Sequence, residues 1–304
     1  MLRKYLLWRL GAVALMLVLA GGLAQAQSEM DEVWQPLVES LVQDGFDAQA
    51  TSELFASQGV EFDPGVMGRK MKLLYEREFD PPRDEPEPEE PRQRLTIYDI
   101  HLTAEKIADI IVFKWEHKDL LAQIEEDYGV EGDVIVAILV VETKLGEYLG
   151  EQTALVSLAS MAVSDNFSQV QDYLSEYSPT QEQADWIEDR QRGRSEWAYN
   201  ELKELLLYTQ ENSMDPVTMP GSVYGAIGLC QFLPTNARAL GIDGDQDGTV
   251  DLFNPIDAAH SVANFLKDAG WTPDLDRESK IRVLRRYNND EFYARTILSI
   301  ARRI

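Results

Sequence analysis

Four segments of this chain hold residues whose types and spacing could do chemistry. The first ends in Glu142, which closes the apolar run 133–141 and precedes Thr143, Lys144, Leu145 and Gly146. On a helix, Ile135, Ile138, Leu139 and Glu142 stand at i, i+3, i+4 and i+7 and share one face. A carboxyl on that stripe is costly to ionise, so desolvation raises its pKa. An acid that keeps its proton near neutral pH can give it to a leaving group. Taken alone, this segment is explained at least as well by a buried glutamate bonded to backbone or to a basic residue.

The second segment is Ser222–Pro234. Gly225, Ala226 and Gly228 leave the backbone uncovered, so a ligand or another element can approach closely. Tyr224 lies beside them, and Gln231 is a neutral donor and acceptor between apolar neighbours. A tight turn between packed helices is the plainer account. The third segment runs from Asp243 to Asp257. Asp243, Asp245 and Asp247 occupy positions 1, 3 and 5 of an EF-hand-like loop, Gly248 position 6 and Thr249 position 7. Position 12 holds Asn254 rather than glutamate. Asp257 could close the shell, and Asp251 could act through water. The alternative is a solvated Asx-rich turn. The histidines His101, His117 and His260 are scattered, which does not suit zinc. The fourth segment is Ile281–Tyr293, where Tyr287, Asn288 and Tyr293 offer hydroxyls, an amide and ring faces suited to sugars. A helix-loop-helix junction with buried tyrosines would look the same.

The elements that must position these residues read as helices. Trp34, Leu37, Val38, Leu41 and Val42 keep helical spacing, with Gly45 as a stop. Further helices are expected at about 48–57 and 66–75. One continuous helix is expected from 102 to 128, with Thr103 as N-cap and Gly129 as its end. Asp133 is expected to cap the helix of Glu142. Segments 153–163 and 181–209 also read as helical, and strand alternation is scarce. The fold class is therefore mostly α. Residues 80–92 carry five prolines and six acids and read as an exposed loop or linker. The expected division is 1–26 leader, 27–79 N-terminal helical region, 80–94 loop or linker, and 95–304 catalytic domain.

The formal net charge is −25. Arg3, Lys4 and Arg9 fall in a leader without acids, leaving 25 basic and 53 acidic residues beyond it. Such a surface repels phosphates and excludes nucleic acid as a partner. The leader has a basic start, an apolar stretch from Leu10 to Ala20 and an Ala24-Gln25-Ala26 cleavage pattern, which reads as a secretory signal. The lone cysteine, Cys230, rules out an internal disulfide, and no cysteine follows the leader for lipid attachment. Export without disulfides suggests the periplasm.

In this order, Val140–Gly146, Gly221–Pro234, Asp243–Phe265, Gly270-Trp271 and Tyr287-Asn288 resemble the membrane-bound lytic murein transglycosylase B family. The resemblance implies a lysozyme-like helical fold around a peptidoglycan cleft. It implies Glu142 as the single catalytic acid/base, and Gln231, Tyr224, Gly225, Tyr287, Asn288 and Tyr293 as substrate contacts. It further implies one structural calcium held by Asp243, Asp245, Asp247, Thr249 and Asp257, and no organic cofactor. The reaction implied cleaves the β-1,4 bond between N-acetylmuramic acid and N-acetylglucosamine, leaving 1,6-anhydromuramyl ends. Rival readings are a hydrolytic muramidase of the same fold and a peptidoglycan-binding protein without activity. The partners implied are glycan strands, then proteins of cell-wall synthesis or division, with the chain a monomer. Cys230, residues 80–92 and the polar stretch 165–194 depart from the family's pattern.

Overall fold

In the computed structural model, residues 30–80 and 103–304 are described. The leader and the proline-acid loop, expected at 1–26 and 80–94, lie outside them apart from Asp80. The chain divides into two compact units, Met1–Val60 and Glu61–Ile304.

In the first unit, α1 (Gln35–Gln43) and α2 (Ala48–Phe55) pack together. Their core is Trp34, Leu37, Leu41 and Phe55, all nearly inaccessible. The Trp34 and Phe55 rings lie 5.4 Å apart, and the Trp34 indole N–H donates to the Val60 carbonyl at 3.2 Å. Asp47 starts α2 by accepting the Ala50 N–H at 2.8 Å, an N-cap that satisfies an otherwise orphaned donor.

The second unit is also helical. It begins with α3 (Pro64–Phe79), α4 (Ala104–Glu116), α5 (Lys118–Tyr128) and α6 (Gly132–Thr143). Then follow α7 (Ala154–Ala162), α8 (Gln181–Glu211), α9 (Pro234–Leu240), α10 (Pro255–Asp268), α11 (Arg277–Tyr287) and α12 (Glu291–Ala301). One short antiparallel pair joins β1 (Gln152–Thr153) to β2 (Pro220–Gly221), with Gln152 opposite Gly221. Helix α6 is apolar on every side, and Val134 to Val140 are all buried. Such a helix belongs in a core rather than on a surface. Here α4, α5, α10 and α12 surround it. Helix α8 solves the opposite problem. It buries only a stripe through Ile187, Gln191, Ser195, Ala198, Leu202, Leu205 and Thr209, a 3.6-residue rhythm that faces α7 and α9.

Two expectations need correction. The continuous helix over 102–128 is two helices, broken at His117, whose φ of −106° and ψ of 19° leave the helical region. No glycine or proline marks the break, so local sequence is silent there. Asp133 does not cap α6. The helix starts two residues earlier, at Gly132 with Glu131 as N-cap, and Asp133 ion-pairs with Lys114 at 2.7 Å. Among the described residues, no helix is long and apolar enough to cross a membrane.

Candidate active site

Glu142 sits in the last turn of α6 and is half-buried, one turn beyond the inaccessible Ile135, Ile138 and Leu139. The chain then reverses through three consecutive left-handed residues, Lys144, Leu145 and Gly146, with φ of 54°, 65° and 95°. This reversal, with the Lys144 and Leu145 N–H groups returning to the Val140 and Leu139 carbonyls, closes the helix end. Thr143 is fully buried, and its hydroxyl donates to the Leu229 carbonyl at 3.0 Å. The end of α6 is thereby pinned to the glycine-containing turn.

That turn is built by close approach. Ile227 and Phe232 exchange backbone hydrogen bonds at 2.8 and 3.0 Å. Gly225 and Gly228 have φ of 77° and 73°, and a Cβ at either would lie 2.4 Å from Leu158 or Leu252 respectively. Gln231 is itself left-handed, at φ 49°, and its amide donates to the Gly228 carbonyl at 3.1 Å. The Lys70 ammonium of α3 lies 4.9 Å from the Tyr224 ring centre.

Tyr293 is 1% exposed, and its hydroxyl donates to Glu142 Oε1 at 2.7 Å. Its ring stacks on Tyr287 at 6.3 Å and 10°. The Tyr287 hydroxyl donates in turn to the Cys230 carbonyl at 2.5 Å, and Phe232 and Phe265 complete the aromatic wall around it. The structure thus joins Glu142, Tyr293, Tyr287 and the 227–232 turn. Asn288 stays exposed at the end of α11 and is fixed there through its backbone.

Burial pushes the Glu142 carboxyl up to about 7, and the hydrogen bond from Tyr293 opposes that rise. Burial also pushes the Cys230 thiol up to about 12, so the cysteine packs as a small apolar group. Tyr287 is held well above the ordinary tyrosine range by burial. The other acids near in sequence are elsewhere: Glu147 is exposed and takes Lys106 at 2.7 Å, and Glu151 is exposed. One protonated carboxyl facing a half-open wall of tyrosines can act as a general acid and afterwards as a base.

The acidic loop backs this wall. Side-chain oxygens of Asp243, Asp245 and Asp247 lie within 4.8 Å of one another. Three carboxylates that close suit a hard cation, which takes oxygen ligands. Asp257 is not part of this cluster. Its carboxylate accepts the Gly244 and Asp251 N–H groups at 2.8 and 2.7 Å, tying the two ends of the loop together. Thr249 donates to Asp247 at 2.6 Å. The loop reaches the glycine turn through Leu229 N–H to the Leu252 carbonyl at 2.8 Å. Sequence reasoning missed Tyr208, whose hydroxyl donates to the Val250 carbonyl and accepts from the Leu252 N–H at 2.7 and 3.3 Å. It lies in a helical stripe, so its polar end carried no separate mark.

A family model described as the transglycosylase SLT domain matches residues 29–283. The chain belongs to this family. Membrane-bound lytic murein transglycosylase B of Escherichia coli (strain K12) is 30% identical over 170 residues, which cover 56% of this chain and 40% of that protein. The match thus spans less than half of that relative's length. Among solved structures, the E. coli lytic transglycosylase SLT35 in complex with bulgecin A superposes with a TM-score of 0.68 at 20% identity, covering 92% of this chain and 96% of that one. SLT35 has also been solved in complex with calcium. SltB3 from Pseudomonas aeruginosa, in complex with NAG-anhNAM-pentapeptide, matches with a TM-score of 0.64 at 21% identity, covering 89% and 78%. The transglycosylase SLT domain here therefore has the lysozyme-like, mostly helical fold.

Proposed function

We propose that this protein is a lytic transglycosylase of the periplasm. It cleaves the β-1,4 bond between N-acetylmuramic acid and N-acetylglucosamine of peptidoglycan and leaves 1,6-anhydromuramyl ends. One observation carries the reading: burial raises the Glu142 carboxyl to about 7, and the Tyr293 hydroxyl holds it at 2.7 Å. Glu142 gives its proton to the glycosidic oxygen as the bond breaks. The muramyl acetamido group assists at C1. The Glu142 carboxylate then takes the proton of the 6-hydroxyl as that oxygen closes on C1, which restores the acid and consumes no water. Ordinary glycosidases hold a second carboxylate about 5–9.5 Å away, whereas Glu147 and Glu151 both face solvent.

Glycan contact is assigned to Gln231, Tyr224, Gly225, Tyr287 and Asn288, with Tyr293 touching the acid directly. The cation suited to the loop is calcium, held by Asp243, Asp245, Asp247 and the Thr249 carbonyl, with Asp257 fastening the loop. Its contribution is charge neutralisation that stiffens the backing of the turn.

The test is digestion of purified sacculi followed by mass spectrometry. Anhydro ends are expected, and Glu142→Gln should release none. Products about 18 Da heavier, one added water, would mean hydrolysis instead. Full turnover by Glu142→Gln would remove the assignment.

A further inference from the structure

At the opposite end of α6 lies a cavity of about 360 Å³. The nine residues from Asp133 to Glu142 place it roughly 14 Å from the acid along the helix. Its floor is aliphatic: Val134 from α6, Leu275, and Leu298 and Ala301 from α12. Its rim is cationic, with Arg277, Lys280 and Arg302. The net charge of the chain is −25, so a lining with three basic residues against two acids runs against the composition. Each acid in the lining has a cation, and Glu131 uses Lys280, so Arg277 and Arg302 are the cations left to the cavity. Lys114, beside Asp133, also donates to the Ile304 main-chain oxygen at 2.5 Å. Glu131 takes Lys280 and also accepts the Trp271 indole N–H at 2.8 Å. Asp133 pairs with Lys114 at 2.7 Å. Arg277 pairs with its sequence neighbour Glu278 at 3.9 Å. Among the described residues, neither it nor Arg302 has an ion-pair partner inside the cavity.

We propose that this cavity binds a small aliphatic carboxylate, seating the chain on Val134, Leu275 and Leu298 and the carboxylate against Arg302 and Arg277. The size is within the range of ligand pockets, about 300–1,000 Å³. A guanidinium fork pairs with a carboxylate in two parallel hydrogen bonds, which a lone ammonium does not reproduce. Two sources share this chemistry: the free C-terminus of a short peptide and a short-chain fatty acid.

The test is a methyl NMR titration of the full chain, following Val134, Leu275 and Leu298. The probes are acetyl-alanyl-valine, its C-terminal amide, and hexanoate. Saturable shifts at these methyls are expected with at least one carboxylate probe, and at least tenfold weaker binding with the amide. The stronger carboxylate probe identifies the source. Arg302→Glu, on the exposed rim, should weaken binding at least tenfold, and Ala301→Trp should fill the cavity and abolish it. No saturable shift with either carboxylate overturns the proposal. So does equal binding of the amide, or binding undiminished in both variants.

Discussion

A carboxyl with a pKa near 7 is a marker that can be followed through pH. Below about pH 4.5 Glu142 is protonated whether the chain is folded or not, so it leaves stability unaffected. Between about 4.5 and about 7 the unfolded chain ionises while the folded state keeps the proton on its desolvated carboxyl, so stability is lost across that window and levels off above it. Glu142→Gln removes this cost. Its unfolding free energy should match the parent's at pH 4 and exceed it at pH 8 by as much as about 3 kcal/mol. Activity should fall over the same rise in pH, because the first step needs the proton. Tyr293 supports the ionised form through its hydrogen bond. Tyr293→Phe should therefore shift the basic limb of the pH–rate profile upward. A profile that keeps its limb while losing only amplitude would make Tyr293 structural alone.

Among the elements, the glycine turn is the least forgiving. Gly228→Ala would force a left-handed alanine against Leu252. The two penalties together are about 2–5 kcal/mol, visible as an earlier midpoint in denaturant. Thr143→Val would leave the buried Leu229 carbonyl without its donor, at a cost of about 1–3 kcal/mol. The burial of Ile135, Ile138 and Leu139 ahead of Glu142 was legible in the sequence, but their shared face sets them apart from nothing, because Val134 to Val140 are buried all round. The break at His117 was not, because it answers to packing rather than to a local breaker. The partnerships of Tyr293 with Glu142 and of Tyr287 with the Cys230 carbonyl join positions 151 and 57 residues apart. Periodicity says nothing about such pairs, so neither hydroxyl's partner was legible.

At the scale of the molecule, an acidic chain must hold three more carboxylates together in the loop behind the turn. Calcium bound there only in the folded state would add stability by mass action, about 2.7 kcal/mol at a hundredfold excess over Kd. Chelation should lower the melting temperature, and replacing Asp245 with Asn should lessen that effect. An unchanged melt with no calcium by elemental analysis would remove the metal from the account. The central helix carries a further consequence. The aligned peptide dipoles of α6 leave about half a negative charge at its C-terminal end and half a positive charge at its start. Glu142 lies in the negative turn and the cation-rimmed cavity at the positive one. The backbone itself therefore disfavours a second negative charge beside the acid, adding to desolvation a polarity that no side-chain replacement can reverse while the helix stands.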